Sequence, residues 1–74
     1  MWKYEFPSGQ VVYIVPYKGE YQITFEGTMY SGCHSPDAAA DDAACLATGC
    51  YELDELIASN PDFPQDLSGW TLLE

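Results

Sequence analysis

After Lys18 the sequence has neither lysine nor arginine; across 74 residues it holds two lysines, no arginine and a single histidine, His34. That scarcity argues against direct binding to nucleic acid or to an anionic membrane surface, both of which rest on clustered cations. No stretch approaches the roughly 18 apolar residues of a membrane span, and Met1-Trp2-Lys3-Tyr4-Glu5-Phe6 lacks the apolar run of a signal peptide. The expectation is a soluble, cytoplasmic chain. An odd set of three cysteines, Cys33, Cys45 and Cys50, leaves one thiol outside any disulfide framework, so free, partly buried thiols are expected. Their spacing, even with His34 added, matches no C-x2-C zinc pattern, and no metal is expected. Cys33 and His34 are neighbours on extended chain and would point to opposite faces, not act as nucleophile and base. No nucleophile flanks paired carboxylates, no glycine loop could cradle phosphate, and no calcium-loop order of aspartates occurs, so neither an enzyme nor a cofactor is expected.

What the sequence does contain is acid, unevenly placed. Of 12 acidic residues, Glu5, Glu20 and Glu26 fall in the first half and nine lie between Asp37 and Glu74. Set against Lys3 and Lys18, the first 36 residues carry −1 and the remainder −9 of the formal −10. Like charges held close repel and cost stability, so a small domain carries them for solubility or for a basic partner. An ordinary soluble helix face mixes both signs and gains i, i+4 pairs. The second half forgoes every such pair.

The first half reads as strand. Trp2, Tyr4 and Phe6 alternate with Lys3 and Glu5; Val11, Tyr13 and Val15 alternate with Val12 and Ile14; Tyr21, Ile23 and Phe25 alternate with Gln22, Thr24 and Glu26. Pro7-Ser8-Gly9 and Pro16-Tyr17-Lys18-Gly19 supply the turns. The second strand is apolar on both faces and belongs at the centre. Gly27 breaks the pattern, and Thr28 to Cys33 is expected to continue as a bent or bulged extension of the sheet. Ser35-Pro36-Asp37 writes a helix start, with a hydroxyl cap, proline at the first position and an acid in the first turn. The helix is expected from Pro36 to about Thr48 with Gly49 ending it, followed by a second helical pattern over Cys50 to Ser59 before Asn60-Pro61. One kinked helix or two short ones both fit. Trp70 to Leu73 would add a last edge strand or close the core. The fold class is α+β: one domain with a three- to four-stranded antiparallel sheet and one or two short helices on one face. Residues 1–33 form the sheet region, 36–59 the acidic helical region, and 60–74 a loop and C-terminal strand.

At 100° per residue, Ala39, Ala40, Ala43, Leu46 and Ala47 share the inner side of the first helical segment and Asp37, Asp41 and Asp42 the outer. In the second, Leu53, Leu56 and Ile57 face inward, with Glu52, Asp54 and Glu55 turned out. Asp62 and Asp66 follow in the loop. A helix of roughly 18 Å with three carboxylates is several times less dense in charge than duplex DNA, at one per about 1.7 Å of axis. Imitation of nucleic acid therefore requires Asp37, Asp41, Asp42, Glu52, Asp54, Glu55, Asp62 and Asp66 to converge on one surface. Tyr17, Tyr30 and Tyr51 are candidate interface aromatics, and an apolar open sheet face would suit a homodimer.

Hairpin strands and the alanine-rich acidic segment Asp37-Ala38-Ala39-Ala40-Asp41-Asp42-Ala43-Ala44, without an enzyme motif, resemble the small phage-encoded anti-CRISPR proteins. Some of these work as nucleic-acid mimics. The resemblance implies a basic nucleic-acid-binding partner, the DNA- or PAM-reading site of a CRISPR effector subunit, met in the host-cell cytoplasm. Tyr21 to Leu56, with Gly32-Cys33-His34-Ser35 before an alanine-rich helix, is similar to the HicB antitoxins, whose β-β-β-α-β domain often places such a segment between its third strand and helix. That similarity implies neutralisation of a small RNA-cleaving toxin. A third alternative is an acidic domain charged for solubility, with an unrelated protein partner.

Overall fold

The computed structural model describes residues 1–73. β1 (Trp2–Glu5), β2 (Val11–Tyr17), β3 (Glu20–Phe25) and β4 (Thr28–Cys33) form an antiparallel meander; α1 (Pro36–Ala44), α2 (Tyr51–Ala58) and a 3-10 turn (Leu67–Gly69) precede β5 (Thr71–Leu72). The sheet runs β4-β3-β2-β1-β5, one strand more than the upper expectation, within the α+β class read from the sequence. The helices cover one face only. Val12 and Ile14 of β2, Ile23 and Phe25 of β3 and Cys33 of β4 meet Ala39, Ala40 and Ala43 of α1 and Leu53 and Ile57 of α2 in a single core.

Thr28 to Cys33 extends the sheet, as expected, as a strand of its own paired with β3. Glu26 and Gly27, both at positive φ (50° and 82°), make the two-residue connection between β3 and β4, which matches the twist of paired strands. Lys18 and Gly19 do the same between β2 and β3, at φ 51° and 80°. The strand therefore runs through Pro16, which the sequence pattern assigned to the turn. Register explains why proline fits: β1 begins at Trp2, opposite Ile14, so the side of Pro16 facing away from β3 has no strand to receive an N–H. In β4 the pairing shifts between Gln22 and Ile23, leaving Ser31 bulged at φ 55°.

α1 starts where expected: Ser35 Oγ accepts from the Ala38 N–H at 3.1 Å, and Pro36 opens the helix. It stops earlier than expected, at Ala44. Leu46 adopts φ 61°, its N–H donates to Ala43 O at 3.1 Å and the Ala47 N–H to Asp42 O at 2.8 Å. This is a Schellman closure with leucine where glycine is usual, so α1 and α2 are two helices. The tail folds over the end of β1: Phe63 and Trp70 join Tyr4 and Phe6 in an aromatic cluster, and Asn60 Nδ2 donates to the Tyr4 hydroxyl at 2.8 Å. Gly69 passes so close to the Pro64 ring that a Cβ there would collide with it.

Candidate functional site

Six of the eight candidate acids are exposed: Asp37 and Asp41 on α1, Glu52 and Glu55 on α2, and Asp62 and Asp66 in the tail. Asp37 and Asp41 stand one turn apart over a helix whose underside, Ala39, Ala40 and Ala43, is fully buried. Small side chains there let α1 lie close to β2, β3 and β4. Glu52 and Glu55 line one shallow groove with Gln10, Phe25, Leu56, Ala58 and Ser59. The Tyr51 hydroxyl, on a residue 76 % exposed, is hydrogen-bonded to Glu55, which raises its pKa.

Asp42 and Asp54 do not face outward as the helical pattern predicted; both are half-buried. Asp42 Oδ2 accepts from Ser31 Oγ at 3.0 Å and from Cys33 Sγ at 3.2 Å, fastening α1 to the bulged strand. About 100° per residue puts Asp37 and Asp42 on opposite flanks of the buried alanines, each roughly 110° from their mean direction. Asp42's flank adjoins β4. Asp54 Oδ1 accepts from the Thr48 hydroxyl at 2.7 Å and the Thr48 N–H at 3.3 Å. Thr48 Oγ1 in turn accepts from the Cys50 N–H at 3.1 Å, so the link between the helices is held from inside. Asp66, though exposed, accepts from the Ser68 N–H at 3.0 Å and from the Ser68 hydroxyl, and these bonds lower its pKa. It caps the 3-10 turn.

The aromatic candidates divide. Tyr17 lies on the uncovered sheet face at 44 % exposure and Tyr51 projects from α2, whereas Tyr30 is half-buried on the helix side, its hydroxyl bonded to Cys50. Cys33 is buried and His34 exposed, so they do turn apart. Among the described residues no group of three or more His, Cys, Asp or Glu side chains could hold a metal ion. No family model matches this chain, and no curated protein or solved structure matches it either. The surface is therefore argued on its own geometry.

The thiols differ in a way that labelling would read. Burial first, then the Asp42 carboxylate beside it, raises the Cys33 pKa, opposed in part by the hydrogen bond between Cys33 and Ser31. The thiolate is the reactive form. Cys45 is exposed and is expected to react first with iodoacetamide at neutral pH, with Cys33 protected until the protein unfolds. Mass spectrometry of timed aliquots checks this, and Cys33 labelling as fast as Cys45 in the folded protein would refute the Asp42–Cys33 arrangement.

Proposed function

We propose that this protein is an inhibitor that sets its acidic helical side against a basic nucleic-acid-binding site, with the DNA- or PAM-reading site of a CRISPR effector complex as the target class. The observation that supports the reading is the run of six exposed carboxylates from Asp37 to Asp66 with no lysine or arginine among them. A surface of one sign gains association rate from a partner of the other and repels nucleic acid itself. The five of these not engaged within the fold equal in number the charges on about 8.5 Å of duplex, between two and three base pairs. Such a surface matches a short recognition element rather than a long binding channel. Asp42, Asp54 and Asp66 are engaged within the fold, so Asp37, Asp41, Glu52, Glu55 and Asp62 are the contacts this reading assigns.

The test is competition between the protein and a PAM-bearing duplex for a purified effector complex. Inhibition should weaken as salt is raised, because the attraction is screened within about 10 Å at 0.1 M. Asp37→Lys with Asp41→Lys should weaken it at least tenfold, about 1.4 kcal/mol. Undiminished inhibition by that variant, or an affinity indifferent to salt, would sink the proposal. The position of Gly32-Cys33-His34 at the end of β4, just ahead of α1, favours a HicB-like antitoxin as the second reading, though four strands rather than three come before the helix. That reading expects suppression of a small ribonuclease in the same titration format.

A further inference from the structure

At the end of the sheet where β2 begins and β3 finishes, α2 borders a groove of about 640 Å³, within the roughly 300–1,000 Å³ of ligand sites. Part of its lining is apolar: the buried Phe25, the half-buried Leu56 and Ala58. Along α2, Glu52, Glu55, Leu56 and Ser59 fall at i, i+3, i+4 and i+7, one flank of the helix, so two carboxylates stand beside that apolar lining. The Tyr51 hydroxyl donates to Glu55 from one turn back, on a ring that is itself exposed. No cationic side chain of this chain answers them. Lys3 stands opposite Tyr13 on the uncovered face of the sheet. Lys18 turns the far end of the hairpin, where five residues at about 3.4 Å each separate the Val12–Phe25 pair from the Tyr17–Glu20 pair. His34 follows β4 at that far end too, next to the Tyr21–Cys33 pair.

We infer that this groove receives an arginine side chain of a protein partner. Arginine complements both parts of the lining, with an aliphatic stem to lie along Phe25, Leu56 and Ala58 and a guanidinium to meet Glu52 and Glu55. Shape argues against a free small molecule. The groove is open along its length, whereas a pocket for a drug-sized ligand buries about 70–90 % of it, so the occupant is the tip of something larger. Charge selects the sign of that tip, because two carboxylates without a cation of their own repel an anion and attract a cation. Guanidinium suits the site better than ammonium. It is planar and weakly hydrated, pairs with a carboxylate through two parallel N–H bonds and stacks on an aromatic ring such as that of Tyr51, whereas lysine brings a compact, strongly hydrated charge. The bond from Tyr51 occupies one acceptor site of Glu55 and leaves the others for the fork.

That the acidic side meets a basic partner is taken from the reading above, on which this inference rests; its test needs no effector complex. The probe is the capped peptide acetyl-Ala-Arg-Ala-amide, titrated into isotopically labelled protein up to about 10 mM, enough to detect a millimolar dissociation constant. Amide chemical shifts should move at Phe25, Leu56, Ser59 and the Gln10 side chain, and stay in place at Asp37 and Asp41 on α1. Citrulline in place of arginine, the same shape without the charge, and lysine, the charge without the fork, should each bind at least about threefold more weakly. Glu52→Gln with Glu55→Gln should weaken binding about tenfold or more, and Asp37→Asn with Asp41→Asn should leave it within about twofold. All four positions are exposed, so both variants should keep the parent melting transition. Absence of shifts at the groove, equal shifts at the α1 acids, equal binding of the citrulline or lysine peptide, or a double-glutamine variant that binds like the parent would each overturn the inference. A protein that takes the arginine peptide yet leaves an effector complex uninhibited would keep this inference and remove the earlier one.

Discussion

Phe63→Ala is expected to lower the unfolding free energy by about 3–5 kcal/mol, a large share of the 5–15 kcal/mol available to an ordinary domain. Phe63 is 4 % exposed and touches three other rings: Tyr4 edge-on at 4.9 Å between centroids, Phe6 stacked at 5.7 Å and Trp70 edge-on at 5.8 Å. Each such pair contributes about 0.5–1.5 kcal/mol beyond the area it buries. The ring also joins two parts of the chain far apart in sequence, the end of β1 and the tail that delivers β5. Its removal leaves a void that Trp70 cannot fill without breaking the β1–β5 pairing of Trp2 with Leu72 and Lys3 with Thr71. Urea denaturation followed by tryptophan fluorescence measures the loss. A change below about 1 kcal/mol would mean that the cluster collapses around the void at little cost.

Leu53→Ala is expected to cost about 2–5 kcal/mol, with a different spatial signature. α2 has eight residues and no side-chain N-cap bond, and its buried side chains are Leu53 and Ile57. A helix of that length does not persist alone in water, where about 12–15 residues are marginal. Leu53, with no exposed surface, is its main anchor. Alanine at that position should release α2 before the sheet opens, and with it the Asp54 bonds to Thr48. Hydrogen exchange would show α2 amides approaching unstructured rates while β2 and β3 stay protected. Continued protection of α2 would place its anchorage in the Thr48–Asp54 link instead. Because Glu52 and Glu55 ride on this helix, the same variant should also weaken binding that depends on the α2 half of the acidic surface.

Much of this architecture is legible in the residues because short-range rules agree there. Alternation of large apolar side chains marks β1, β2 and β3, and a serine cap with proline at the first position marks the start of α1. Legibility fails where one local rule is overridden by another. Gly49 looks like the end of α1, but Leu46 takes the left-handed position three residues earlier; nothing in a leucine announces that. Pro16 looks like a turn, and only the length of the neighbouring β1 makes a strand proline acceptable. The acidic surface shows the same limit. A helical wheel separates inside from outside, but it cannot say which flank meets a neighbouring strand, and so Asp42 was expected beside Asp41 when it points at Ser31 and Cys33. Asp54 escapes the pattern for a related reason: its partner, Thr48, lies in the link and is buried.

The order of strands across the sheet carries a kinetic consequence. Four of its five strands are neighbours both in sequence and in space, and two of the connections are two-residue turns. Closing such short loops costs little chain entropy, so the meander is the part that assembles soonest. The pairing of β5 with β1 spans nearly the whole chain and has to await the aromatic tail. Until that clasp shuts over Trp2 and Lys3, the outer edge of β1 is an unpaired strand in a growing sheet, and nascent or refolding chains are open to one another there.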